Sequence, residues 1–338
     1  MMKTLKGFLS KGQTSWNMIL IGLLVLEFVI FGAANGKFLR PALLFTSIND
    51  NLPVFMISLF VTLVMVTGGI DIQVAALVGL TSITIGVGWQ DFGLPIWGAV
   101  GVAFVLVSGF LIAYCRVQAM VVTLGGSFLY SGLALLISTL SKTESYQGIG
   151  GFPEDFKFVS NFQLFGVIPF QLLIYILMLV IAFILLHKTK YGRRVTLVGV
   201  NQSAAEFSGI NSRAVIMSTY MLTAVSAVIA GVVLTAYLGT AKSDLGADLT
   251  MDIITAVVLG GTLSTGGKGS IVGTALASFV IAFLRFGLPL CFKVSPQYLD
   301  IPVGVLLVVV IVARSAASGT NIGTFLKSLL SSSSKAKA

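Results

Sequence analysis

Apolar residues run along this chain in long, nearly unbroken blocks, and polar residues gather in the gaps between them. The short alternating segments of a membrane β-barrel are absent. Several blocks approach or exceed the roughly 20 residues that a helix needs to cross hydrocarbon. The pattern predicts ten helical spans, at about 17–34, 48–66, 72–88, 94–114, 119–140, 167–186, 214–238, 249–259, 270–290 and 299–313. Spans eight and ten are short, which leaves either open to being partly re-entrant. Span two ends in Thr67-Gly68-Gly69-Ile70-Asp71, and span eight ends in Gly260–Gly269, GGTLSTGGKG. Paired glycines here mark helix breaks, and irregular backbone at such depth is tolerated only where protein or a water cavity covers it. Val66-Thr67-Gly68-Gly69 and Leu259-Gly260-Gly261-Thr262 also form a weak repeat that hints at two related halves.

The largest polar interruption is the island at 187–213, HKTKYGRRVTLVGVNQSAAEFSGINSR, which holds five of the 21 Lys and Arg residues. Its centre predicts a short helix over Ser203–Gly209. Ala204, Ala205 and Glu206 are good helix formers, Asn201 or Ser203 can cap the start, and Gly209 can end it. Phe207 and Ile210, three apart, are expected to share an apolar face of the kind that docks in a groove. On local physics alone, a docking helix and a plain loop are equally good readings.

Composition makes the membrane class firm. The chain has 338 residues, 56% of them hydrophobic and only 10% charged, with a mean hydropathy of +1.01; a soluble domain carries roughly 25% charged residues. The net charge of +9 is read by side of the membrane, because Lys and Arg collect on the cytoplasmic face. With ten spans, fourteen of the 21 fall on the side of the island and both ends, six fall on the other side, and Arg285 lies within span nine. The expectation is a multi-pass bacterial inner-membrane protein with both termini cytoplasmic. It divides into a cytoplasmic segment 1–16, a transmembrane domain 17–313 containing the cytoplasmic loop 187–213, and a cytoplasmic tail 314–338. Cys115 and Cys291 have no CxxC neighbour, so redox and metal roles are not expected.

Candidate chemistry fails quickly. The lone histidine, His187, reads as an interfacial side chain, and no Ser/His/Asp set, HExxH or intramembrane carboxylate pair is present. Gly261 and Gly266 have P-loop spacing, but Gly267 stands where lysine is required. No catalytic residue, metal site, cofactor or nucleic-acid partner is expected. Among charges inside spans, Glu27 and Arg285 are expected to pair with each other or to snorkel, and Asp71 and Asp252 to cap helices beside the breaks. Small residues in span seven (Ser226, Ala227, Ala230, Gly231) and span nine (Gly273, Ala275, Ala277, Ala282) suit close helix packing. Phe55, Phe60, Phe128 and Tyr130 face either a cavity or lipid.

Four stretches resemble, in order and at fitting spacing, the monosaccharide-type ABC importer permeases that serve ribose, xylose and galactosides. They are GGIDIQVAALVGL at 68–80, VTLGGSFLYSGLALL at 122–136, YGRRVTLVGVNQSAAEFSGIN at 191–211 and AVVLGGTLSTGGKGSIVGT at 256–274. YQGIGGFP at 146–153 and YLGTAKSDLGA at 237–247 are most similar to the second permease subunit of autoinducer-2 importers. The main alternatives are a ribose or rhamnose permease and, further off, an ion-coupled secondary transporter. The resemblance implies an all-α permease fold of about ten helices, some broken or re-entrant. It implies a membrane pore for a small sugar-like ligand with no bond chemistry of its own. The implied partners are cytoplasmic ATP-binding cassette subunits, a second permease subunit (heterodimer favoured), a periplasmic substrate-binding protein and membrane lipid. Ser203, Ala204, Ala205, Glu206, Phe207, Gly209 and Ile210 would couple to the ATPase. Gly68, Gly69, Asp71, Gly260 and Gly261 would form breaks along the translocation pathway.

Overall fold

A computed structural model describes residues 2–91, 119–143, 147–164 and 168–317. The fourth predicted span at 94–114 and the tail from 318 lie outside the described residues. The described elements are α1 (Met2–Ala34), α2 (Pro41–Val66), α3 (Val74–Gln90), α4 (Ala119–Ser138), β1 (Ile149–Gly150), α5 (Glu154–Asn161), β2 (Gln163–Leu164), β3 (Ile168–Pro169), α6 (Phe170–Phe183, extended by a π turn over Ile184–Lys188), α7 (Lys190–Val200), α8 (Gln202–Phe207), α9 (Ser212–Leu238), β4 (Thr240–Ala241), α10 (Leu249–Leu259), α11 (Ile271–Phe292) and α12 (Asp300–Ala317). Among the described residues, six helices are long and apolar enough to cross a membrane: α1 from Trp16, α2, α4, α6 with its π turn, α9 and α11. Helices α3 and α10 are apolar but shorter, as is the segment Asp300–Val310 of α12. At 11 residues, α10 is about 16 Å long, half the thickness of the hydrocarbon.

Helix α2 is the centre of the bundle. Every residue from Leu52 to Val66 is buried, as expected of a helix that is apolar all round. Helices α6, α9, α10 and α11 pack against it. It begins at Pro41, seven residues before the predicted span, because proline is pre-organised for the first helical turn and the polar run Thr46–Asn51 hides that turn from a hydropathy reading. Hydroxyls stitch α2 to α11: Ser58 Oγ lies 3.2 Å from Ser278 Oγ, and Thr62 Oγ1 lies 2.8 Å from Thr274 Oγ1. The pairing runs antiparallel. Thr62 donates to the Ser58 carbonyl and so accepts from Thr274. Ser58 and Ser278 each have a carbonyl acceptor within their own helix, so one of the two donates to backbone and the other donates across the pair, which keeps these hydroxyls satisfied where there is no water. A third such bond, Thr235 Oγ1 to Ser82 Oγ at 2.8 Å, joins α9 to α3.

The small-residue faces pack as expected. Ser226, Ala227, Ala230 and Gly231 are buried, and a Cβ on Gly231 would touch Thr81 and the Val78 carbonyl of α3. Phe55, Phe60 and Tyr130 are in the core, whereas Phe128 lies on the outside.

The intramembrane charges depart from expectation. Arg285 does not meet Glu27. Its Nη2 donates to Asp252 Oδ1 and Asp300 Oδ1, both at 2.7 Å. It thereby ties α11 to the first turns of α10 and α12. Asp252 is therefore an ion-pair partner and not a cap. Glu27 is buried on α1, and its Oε2 has no partner among the described residues. Asp252→Ala is expected to cost about 1–3 kcal/mol by leaving a charged donor short of its partner. Thermal unfolding of the detergent-solubilised protein measures this, and Asp300→Ala, whose carboxylate is exposed, should cost less.

Candidate coupling site

The island forms two short helices at the end of the bundle where α2 finishes and α9 begins. Thr189 Oγ1 accepts from the Gly192 amide and caps α7. Val195 and Val198 face the core, while Arg193 and Arg194 face out. Helix α8 follows after a single residue, Asn201, whose Oδ1 accepts from the Ala204 amide at 2.9 Å. Such a cap stabilises by about 1 kcal/mol. At the other end the Gly209 amide donates to Glu206 O and the Ile210 amide to Ala205 O, each at 3.0 Å, with Gly209 left-handed at φ 79°. This pair of bonds is a Schellman motif. A helix of only six residues is thus closed at both ends by its own sequence.

The motif also decides which side chains point where. It folds the residue after the glycine back against the last helical turn, so Ile210 packs inward, as does the buried Ala205. The expectation that Phe207 and Ile210 share a face is therefore not met. Phe207 stands out from the surface, 93% exposed, with Ser203, Ala204, Glu206 and Gly209 exposed around it. Glu206 Oε1 accepts from Gln202 Nε2 at 3.2 Å across one turn.

The two breaks use the same device. After α2, the Gly68 amide donates to Met65 O and the Gly69 amide to Val64 O, with Gly68 at φ 87°. After α10, the Gly261 amide donates to Val258 O and the Thr262 amide to Val257 O, with Gly261 at φ 94°. The weak repeat in the sequence is thus a repeat of structure, in the register in which the two segments align.

The breaks and the island meet backbone to backbone. The Gly267 amide donates to Val66 O at 2.8 Å. A Cβ on Gly266 would lie 2.8 Å from Gly68 N and 2.9 Å from Gly199 O. A Cβ on Gly199 would collide with Val66 O and lie 2.7 Å from Gly267 N. The ends of α2 and α7 and the glycine segment therefore touch with no side chain between them, and Asn201, the cap of α8, follows Gly199 by two residues. Gly260 packs as tightly against the start of α11, its Cβ position 2.5 Å from Thr274 Cα. His187 sits beside this region, its Nε2 accepting from the Ile271 amide at 3.4 Å.

Behind the first break lies a group of wholly buried polar side chains. Asp71 Oδ1 accepts from the Gln73 amide at 3.3 Å, so Asp71 braces the turn into α3 without capping that helix. Asp71 Oδ2, both amide atoms of the Gln73 side chain and the Tyr220 hydroxyl have no hydrogen-bond partner among the described residues. Tyr220 reaches from α9 to Gly69, where any Cβ would strike its hydroxyl, and is an electrostatic neighbour of Asp71. The Gln73 side chain lies against Gly126 of α4, and Thr123 Oγ1 donates to Ile70 O at 3.2 Å. Unpaired buried groups cost about 1–3 kcal/mol each. Sequence reasoning does not single out Gln73, Tyr220 or Gly199. A glycine inside a helix, which costs about 1 kcal/mol relative to alanine, is the available signal for Gly199.

At the opposite end of the bundle a cavity of about 590 Å³ opens between α2, α9, α10 and the loop at 240–248. Pro53 and Leu234 line it, together with Asp50, Lys242, Asp244 and Asp248. Tyr237 donates to Asp50 at 2.8 Å.

A family model described as "Branched-chain amino acid transport system / permease component" matches residues 43–312. The Autoinducer 2 import system permease protein LsrD of Photorhabdus luminescens is 38% identical over 306 residues, covering 89% of this chain and 91% of the relative. Proteins of the same name from Yersinia pseudotuberculosis serotype O:3 (strain YPIII) and Escherichia coli (strain SMS-3-5 / SECEC) are each 39% identical. They align over 305 and 308 residues, covering 89% of this chain and 91% and 92% of the relatives. No solved structure matches the chain. With the family model spanning most of its length and these relatives aligned nearly end to end, the chain belongs to this family of transport-system permease components.

Proposed function

We propose that the chain is the pore-forming permease subunit of an ATP-driven importer for autoinducer 2, the ligand named in its relatives. Cytoplasmic ATP-binding cassette subunits hydrolyse ATP, a second permease completes the pore, and a periplasmic binding protein delivers the ligand. In this reading the chain crosses the inner membrane ten times with both termini in the cytoplasm. The island faces the ATPase, and the 590 Å³ cavity faces the periplasm.

One observation carries the coupling role: a doubly capped helix with a bare phenylalanine at its tip is mounted two residues from the point where both helix breaks touch. Side chains that dock on α8 can shift Asn201 and hence Gly199. Gly199 cannot move without moving Val66 or Gly267, because there is no side chain between them to absorb the motion. ATP-driven closure of the cassettes thereby reaches Gly68, Gly69 and Asp71 on one side and Gly260 and Gly261 on the other. Packed junctions of this kind switch between discrete arrangements and do not deform continuously.

Uptake into vesicles tests the class. Autoinducer 2 accumulation that requires ATP and survives an uncoupler is expected, whereas uptake that persists without ATP and collapses with an uncoupler would sink the proposal. Asp71→Asn is expected to reduce uptake several-fold, and wild-type uptake by that variant would leave Asp71 as no more than a brace for the turn.

A further inference from the structure

We infer that Asp71, Gln73 and Tyr220 form an intramembrane subsite for the hydroxyl groups of a polyhydroxylated ligand, which they hold as it passes the first helix break. The inference rests on the importer reading above and adds to it the residues that meet the ligand.

All three side chains are wholly buried, on the break, the start of α3 and α9 respectively. Between them they hold four atoms with no partner among the described residues. Buried polar groups in native proteins are overwhelmingly paired, so four unpaired atoms around one helix break call for a reason. The turn is not that reason. The second break closes with the same two backbone bonds at the same register. The four residues that follow it are Leu263, Ser264, Thr265 and Gly266, where the first break is followed by Ile70, Asp71, Ile72 and Gln73. The second break thus forms with neither a carboxylate nor an amide side chain, and the four unpaired atoms of the trio are additional to what the turn uses.

The chemistry of the trio fits a diol. A carboxylate accepts, a primary amide both donates and accepts, and a phenol does both. Neighbouring hydroxyls on a sugar-like ligand offer the complementary set, and a site built to bond hydroxyls discriminates strongly against ligands that lack them. Gly69 leaves the room that lets the Tyr220 hydroxyl reach the break, and Gly126 leaves room for the Gln73 side chain beside α4.

The test reconstitutes the full assembly in liposomes, with its ATPase, second permease and binding protein, and follows radiolabelled autoinducer 2. Tyr220→Phe removes one oxygen, and Gln73→Met keeps the side-chain length. Each is expected to lower uptake at least tenfold, to keep binding-protein-stimulated ATP hydrolysis within about twofold, and to leave the thermal midpoint equal or higher. Unchanged uptake in both variants overturns the inference. A lowered midpoint overturns it too, by assigning these groups to an internal network that holds the fold. Loss of ATPase stimulation together with uptake does the same, in favour of a role in transmission. Absence of ATP-dependent uptake by the wild-type assembly removes the importer reading itself, which is a separate failure.

Discussion

Phe207→Ser is expected to leave the permease folded and inserted yet unable to hold its ATPase subunits. The ring is 93% exposed, so its removal opens no cavity, and surface substitutions of this kind stay within about 0.5 kcal/mol in stability. Helix α8 keeps its Asn201 cap and its Gly209 closure, neither of which involves the ring. Aromatic anchors of interfaces contribute about 2 kcal/mol or more when they fill a partner's pocket, which is about a thirtyfold loss of affinity. Co-purification of the ATPase and vesicle uptake should both fall, while the thermal midpoint stays put. Ile210→Ser is the contrasting variant. Ile210 packs on the core, so that change should lower the midpoint first and affect assembly only through it. Equal behaviour of the two variants would mean that α8 docks by some other face.

The local features of this site are legible in the sequence, and the long-range ones are not. The start, end and position of α8 can be read because a capping asparagine, three helix formers and a glycine each act within a few residues. The two breaks can be read for the same reason, and even their register survives in the repeat. Ile210 departs from expectation because a period of three or four holds only within a helix, and the Schellman turn ends the helix before Ile210. The partners of Arg285 depart from it because nothing local distinguishes Glu27 from Asp252 and Asp300; three helices must be packed before the choice is made. The contact of Gly199 with Val66 and Gly267 is invisible for a related reason. Backbone-to-backbone contact leaves no apolar periodicity, only glycines whose purpose depends on what lies opposite.

That contact gives the second large effect. In an exposed helix, Gly199→Ala would stabilise by about 1 kcal/mol through helix propensity alone. Here the added methyl collides with the Val66 carbonyl and crowds the Gly267 amide, the two groups that bond to each other at 2.8 Å. Neither neighbour is the far end of a flexible side chain, so the backbone itself must shift, at a cost of about 1–3 kcal/mol typical of overpacking. The sign of the stability change is therefore diagnostic: a lower thermal midpoint is expected, where propensity predicts a higher one. Uptake should fall at least tenfold, because the displaced groups join the two breaks to each other and to α8. Gly209→Ala is the control, since its Cβ would meet nothing within 4 Å and only its left-handed φ of 79° opposes it. It should cost about 1–2 kcal/mol of local strain and retain measurable uptake. Gly199→Ala with wild-type uptake would show that motion of α8 reaches the breaks by another route.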